Sequence, residues 1–199
     1  IFRKSKQIQG VAVLAFVVLL GSVCYDKYLV SVSVQSYFNM ISLDQYSAWF
    51  NVLITACALI YVLMFHKNIT AVGKNEGEYF ALLFFILCGV YLLSSFSNLL
   101  ILFLGIEILS IPHYILAGSD KENIKSNEAS LKYFLMGAFS TGILLMGMTL
   151  IYGATGSFDI MSDRFAAQFV NVEGMSALSF VGIMLLIIAF GFKVSAAPM

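Results

Sequence analysis

From Tyr79 to Gly118 the chain runs forty residues with a single formal charge, Glu107. As one helix, at about 1.5 Å per residue, that run would reach about 60 Å, twice the hydrocarbon thickness of a bilayer. It must therefore fold back on itself. The cluster Ser94, Ser95, Phe96, Ser97 and Asn98 is the only polar interruption of its length and marks a tight turn between two membrane spans. The rest of the chain has the same character: 60% of residues are hydrophobic, 11% are charged and mean hydropathy is +0.92, whereas soluble domains carry about 25% charge. Apolar stretches fall at 8–24, 48–65, 79–94, 98–118, 133–152 and 177–199, each near the length a membrane helix needs. The expected fold is an all-α integral membrane protein, a polytopic bundle of about six transmembrane helices in a single domain covering 1–199. A barrel is not expected, because barrel strands alternate apolar and polar residues and these runs do not.

The chain starts at Ile1 and its last apolar stretch reaches Met199 without a polar flank, so it is expected to be a piece of a longer protein. The basic FRKSK stretch before a span of moderate length is a poor match to a cleaved signal peptide. Arg3, Lys4, Lys6, Lys67, Lys74, Lys121, Lys125 and Lys132 fall on one side of the six spans, against Lys27 and Arg164 on the other. The basic side, with loops 67–78 and 119–132, is expected to face the cytoplasm. Cys24, Cys57 and Cys88 are isolated in or beside apolar helices, with no C-x-x-C and no neighbouring His, and read as small buried hydrophobes. No phosphate loop, Ser-His-Asp set, metal cluster or nucleic-acid patch is present.

Two charges remain inside the membrane sequence: Glu107, and Lys193 in AFGFKVSAAPM. A charge at the centre of a membrane helix costs roughly 2.5–3.5 kcal/mol on insertion scales, so it faces a partner or water. Opposite signs suggest a pair, serving either to pin two helices or to carry protons. The only prolines, Pro112 and Pro198, each follow one of these charges by five residues. A proline cannot donate to the carbonyl four residues earlier, so the helix carrying Lys193 is expected to be broken near Pro198, with the Val194 carbonyl left without its usual partner. His113 has a ring that titrates near neutrality, but it lies about 240° round the helix from Glu107 and about 9 Å along it. Lys132 is expected to open its helix and snorkel to the headgroups, where it could feed protons inward. His66 reads as an interfacial residue at a helix end. Gly137, Ser140, Thr141, Gly142 and Gly147 form a small-residue set suited to close helix packing.

The stretches NLLILFLGIEILSIPHYILAG, EASLKYFLMGAFSTGILLMGMTLIYGATGSF and AFGFKVSAAPM, with the upstream DQYSAWF containing Asp44, Ser47 and Phe50, resemble the subunit N family of proton-pumping NADH:quinone oxidoreductase, respiratory complex I. That family belongs with the Mrp-type cation/proton antiporter subunits. The resemblance implies that the six spans are the second to seventh of fourteen helices, the N-terminal part of an antiporter-like subunit. It implies that Glu107 and Lys193 form the input pair of a proton channel, and that Pro198 sits at a break in the seventh helix. A protonated Lys193 would hold Glu107 ionised until the lysine's proton moves on. No cofactor belongs to the chain itself; NADH, flavin, iron–sulfur clusters and quinone would sit in partner subunits. Its partners would be other membrane subunits, lipid and protons, in a bacterial inner (cytoplasmic) membrane. Pro112 and His113 depart from the small apolar residues the family more often has there. The rival readings are an Mrp-type sodium/proton antiporter subunit and a non-transporting scaffold. Counting along the spans places Glu107 about 14 Å, and Lys193 about 25 Å, from the same membrane face.

Overall fold

The computed structural model describes residues 2–29, 34–36, 40–64, 76–170 and 176–196. Within them, six long helices are joined by short connections: α1 (Phe2–Leu29), α2 (Gln45–Met64), α3 (Glu76–Ser94), α4 (Leu99–Ala117), α5 (Ile124–Thr155) and, after a short surface helix α6 (Asp163–Val170), α7 (Ala177–Lys193). Five of the six are long and apolar enough to cross a membrane, and α7 is a slightly shorter apolar helix. The chain is a multi-pass helical membrane protein.

Its helices pack in two groups. Ala12, Phe16, Val62, Phe80 and Leu87 form one buried cluster, joining α1, α2 and α3. Leu99, Ile106, Leu144, Met148, Ile151 and Ala189 form the other, joining α4, α5 and α7. The groups meet where α3 crosses α4 at Gly89 and Gly105: a β-carbon on Gly89 would lie 2.7 Å from the Leu109 nitrogen and 2.9 Å from the Gly105 oxygen. The α5–α7 contact is equally close, since a β-carbon on Gly182 would lie 2.8 Å from Ile151 Cγ1 and 3.0 Å from the Gly147 oxygen. Without a hydrophobic drive between helices in lipid, such close backbone approach supplies the packing contacts that hold them together.

One end of the bundle is tied by a small sheet. Strands β1 (Val34–Ser36) and β2 (Ile41–Leu43) pair antiparallel. The turn between α3 and α4 is an extended segment beside them: Ser42 N–H donates to the Ser95 carbonyl at 2.8 Å and Ser97 N–H to the Met40 carbonyl at 3.1 Å. On its other side, Leu99 N–H donates to Phe158 O and Ile160 N–H to Ser97 O. Three interhelical connections are thereby fastened together. Asp44 and Ser47 cap α2 reciprocally, Ser47 N–H donating to Asp44 Oδ1 at 2.8 Å and Asp44 N–H to Ser47 Oγ at 3.1 Å. Exposed Tyr25, Tyr28, Tyr46 and Trp49 ring this end, and the Lys27 ammonium lies over the Trp49 ring, as in interfacial aromatic belts.

The structure corrects four expectations. The hairpin was missed, because three-residue strands outside the spans leave no periodic signal. Lys132 does not open its helix: α5 starts eight residues earlier, at Ile124, capped by the Asn123 side chain accepting from Lys125 N–H at 3.0 Å. Cys24, Cys57 and Cys88 are exposed rather than buried, since helices of a membrane bundle are apolar on their outward faces as well. The last span is shorter than 177–199, for α7 ends at Lys193. His66, Lys67, Lys74 and Pro198 lie outside the described residues.

Candidate functional site

The end of α7 is built by the backbone. Ser195 N–H donates to Phe192 O at 3.0 Å and Ala196 N–H to Gly191 O at 2.8 Å, with Ser195 at φ 55°. This pair of bonds around a left-handed residue is a Schellman ending. It interrupts the helix immediately after Lys193, at Val194, where the sequence reading placed the loss of regular bonding. Lys193 is therefore the last helical residue, at the negative end of the α7 dipole, where a cation is favoured.

Its side chain crosses to α4. Lys193 Nζ donates to Ser110 Oγ at 2.9 Å and to Tyr114 Oη at 3.3 Å. Ser110 in turn donates to the Ile106 carbonyl at 2.6 Å, so its oxygen lone pairs are free for the ammonium. Glu107, Ser110 and Tyr114 occupy positions i, i+3 and i+7, within about 60° of one another on α4. The Lys193 ammonium thus sits on the Glu107 face, one to two turns further along. The direction of this offset is the one that counting residues along the spans gives.

Glu107 has a different partner. Its Oε1 accepts from Thr141 Oγ1 on α5 at 2.8 Å, and the same hydroxyl lies 3.0 Å from the Gly137 oxygen. Among the described residues the one salt bridge is Lys132–Glu128, at 2.5 Å on an exposed face of α5. The acid and base of the membrane interior thus share a face of α4 without touching.

Helix α5 shapes this interior. Gly137 seats the end of the Tyr114 ring: an added β-carbon would overlap the hydroxyl and lie 2.5 Å from Cζ. Tyr133 and Phe134 meet the same ring edge-on, at centroid distances of 4.7 and 5.9 Å. Ser130 Oγ donates to Tyr114 O at 2.7 Å and Ser126 Oγ to Ala117 O at 2.8 Å, serving the unpaired carbonyls of the last α4 turn. Ser140 Oγ donates to Ala189 O at 3.2 Å. Of the small-residue set, Gly137 and Gly147 make close contacts as expected, Gly142 faces open space, and Thr141 holds the carboxylate.

The other sequence candidates stay apart from this centre. The helix α4 continues through Pro112. The His113 ring nitrogen Nδ1 is 2.6 Å from the Leu109 oxygen of its own helix, and Lys132 pairs with Glu128. Ser110, Tyr114 and Thr141 were missed as site residues. The i, i+3, i+7 spacing from Glu107 was the available signal for the first two; nothing in the sequence singled out Thr141. Among the described residues no group of three or more His, Cys, Asp or Glu is placed to hold a metal ion.

Fold and site together define a multi-pass membrane protein in which, among the described residues, an acid and a base meet one three-helix junction. The sequence pattern of the NADH:quinone oxidoreductase/Mrp antiporter transmembrane family matches residues 96–199, and the chain belongs to that family. The chain is 43% identical, over 180 residues, to NADH-quinone oxidoreductase subunit N of Cytophaga hutchinsonii, covering 90% of this chain and 38% of that protein. A chain of respiratory complex I from Thermus thermophilus superposes with a TM-score of 0.74 at 27% identity, covering 98% of this chain and 40% of that one. A chain of the Mrp complex from Dietzia has the same fold, with a TM-score of 0.72 at 21% identity over 98% of this chain and 37% of that one. The chain thus spans about two fifths of the length of these relatives.

Proposed function

We propose that this chain is part of a proton-translocating, antiporter-like membrane subunit of an NADH:quinone oxidoreductase, corresponding to the second through seventh of fourteen helices. The observation that carries the reading is the placement of Glu107 and Lys193 on one face of α4, each held by hydroxyl groups inside a three-helix junction. A carboxylate and an ammonium at membrane depth are expensive, and keeping both near one another among hydroxyl groups supports a role in carrying protons. Two relatives of this chain, from Cytophaga hutchinsonii and Flavobacterium psychrophilum, are named NADH-quinone oxidoreductase subunit N.

In this reading Glu107 and Lys193 are the proton-carrying groups. Approach of the ammonium favours the carboxylate by Coulomb attraction, and its withdrawal favours proton uptake by Glu107. The chain supplies positioning and electrostatics and holds no redox centre of its own. NADH, flavin, iron–sulfur clusters and quinone belong to partner subunits, whose chemistry drives the movement. The membrane is the bacterial inner membrane, with residues 67–78 and 119–132 on the cytoplasmic side.

The test is the Glu107→Gln variant of the intact complex, in sealed vesicles at equal assembly. An amide of nearly the same shape is cheaper to keep in the membrane than a carboxylate, so assembly is retained. Proton pumping falls by at least about tenfold, because Gln cannot exchange a proton, and Glu107→Asp keeps part of it. Pumping at the parent rate by Glu107→Gln would rule the reading out. A sodium requirement for pumping would instead identify a sodium/proton antiporter.

A further inference from the structure

The ammonium and carboxylate rest on neutral hydroxyls, along one face of α4 and within two turns of each other. On a helix, residues three apart have β-carbons about 5–6 Å from each other. The Lys193 ammonium, 2.9 Å from Ser110 Oγ, therefore needs to move only a few ångströms to meet the Glu107 carboxylate. We propose that Ser110 and Tyr114 form a second station for the Lys193 ammonium, and that Thr141 is the matching hydroxyl for Glu107, so that the pair has a defined parted state. This rests on the reading of Glu107 and Lys193 as proton carriers, and makes Ser110, Tyr114 and Thr141 positioning residues for that path.

The chemistry of each hydroxyl fits its task. Ser110 spends its proton on the Ile106 carbonyl and offers only lone pairs toward α7, as an acceptor for an ammonium must. Tyr114 Oη adds a second acceptor at 3.3 Å. Ser110 and Tyr114 are buried, so in the parted state these oxygens take the place of water around the charge. Thr141 has a different capacity. Its hydroxyl is within reach of both Glu107 Oε1 and the Gly137 oxygen. It can donate to an ionised carboxylate, or accept from a protonated one while turning its own proton to the Gly137 carbonyl. Glu107 can thus gain or lose a proton without losing this partner. Gly137 supports both stations, as it carries the Thr141 acceptor and leaves the space that the Tyr114 ring fills.

The station is tested in the intact complex with variants that remove only a hydroxyl: Ser110→Ala combined with Tyr114→Phe, and Thr141→Val, with Thr141→Ser as the restoring variant. Two readouts are taken at equal assembly: proton pumping, and the fraction of Glu107 joined to Lys193 by dicyclohexylcarbodiimide. That reagent forms an amide between a carboxyl and an amine in contact, taking up the water lost as dicyclohexylurea. With its hydroxyls gone, the ammonium is left with Glu107 as its nearest partner. The linked fraction rises by about tenfold, as expected for loss of one hydrogen bond to a charged group, and pumping falls. Thr141→Val does the same, and Thr141→Ser returns both readouts to the parent values. Unchanged linkage, a rise in linkage with unchanged pumping, failure of Thr141→Ser to restore, or loss of assembly in these variants would each overturn the proposal. Glu107→Gln and Lys193→Met separate it from the reading beneath: if these two still pump, the proton path fails, and if only the hydroxyl variants pump normally, the station alone fails.

Discussion

Gly137 shows how much of this site is made by an absent side chain. A methyl group there would overlap the Tyr114 hydroxyl and lie 2.5 Å from Cζ, on a ring already held edge-on by Tyr133 and Phe134. Gly137→Ala is expected to cost about 1–3 kcal/mol of stability through overpacking and to displace the Tyr114 hydroxyl from Lys193. The check is a lower heat-inactivation midpoint of the detergent-extracted assembly together with reduced pumping. A variant as stable and active as the parent would mean the ring has room elsewhere. The charges of this site were legible in the sequence, because Glu107 and Lys193 stand alone in apolar surroundings that penalise them. Its hydroxyls were not. Ser and Thr are ordinary residues of membrane helices that satisfy their own backbone, as Ser22 does with Leu19 O at 2.8 Å, so their presence marks nothing until a neighbouring helix is placed. Thr141 could be read only as a small residue suited to packing.

At the scale of the helix, α7 ends on a strained residue. Ser195 takes a left-handed conformation at φ 55°, where glycine is the favoured occupant. Ser195→Gly is expected to stabilise the ending by about 0.5–1 kcal/mol, read as a raised heat-inactivation midpoint; a lowered midpoint would show that the hydroxyl outweighs the strain. The α5–α7 crossing gives the opposite case. Gly182→Ala would bring a methyl to 2.8 Å from Ile151 Cγ1 and 3.0 Å from the Gly147 oxygen, forcing the two helices apart at a cost of about 1–3 kcal/mol. Loss of assembly or a lowered midpoint checks this, and full tolerance would refute the close contact. Hydropathy located these helices well but misplaced their ends. It cut α5 short at Tyr133 because Ser126, Asn127 and Glu128 are polar, although they lie within the helix; polarity sets where lipid ends, whereas capping sets where a helix ends. It carried α7 on to Met199 because VSAAPM is apolar enough for lipid, although the backbone turns at Ser195.

For the whole molecule, the count of basic residues gives a direction. Residues around Lys125 are expected on the cytoplasmic side. Lys125→Cys, exposed at the start of α5, should resist a membrane-impermeant thiol reagent applied outside intact cells and react once the membrane is opened. Ready labelling from outside would invert the topology. The number of spans follows from apolar run lengths, but which helices pack together and which faces turn outward do not: Phe139 is 73% exposed and Leu144 wholly buried on the same apolar helix, a distinction that hydropathy alone cannot draw. The glycine crossing of α5 and α7 also has a mechanical meaning. Gly182 lies eleven residues before Lys193, about 16 Å along the helix. Two smooth backbones in contact form a fulcrum, and α7 is the lever resting on it. A rock of about 10° about that point carries the lysine end through about 3 Å by simple geometry, comparable to the shift proposed above between Ser110 and Glu107. The stroke of such a lever is set at the fulcrum, so the length of the proton-carrying movement would be fixed at a place that carries no charge.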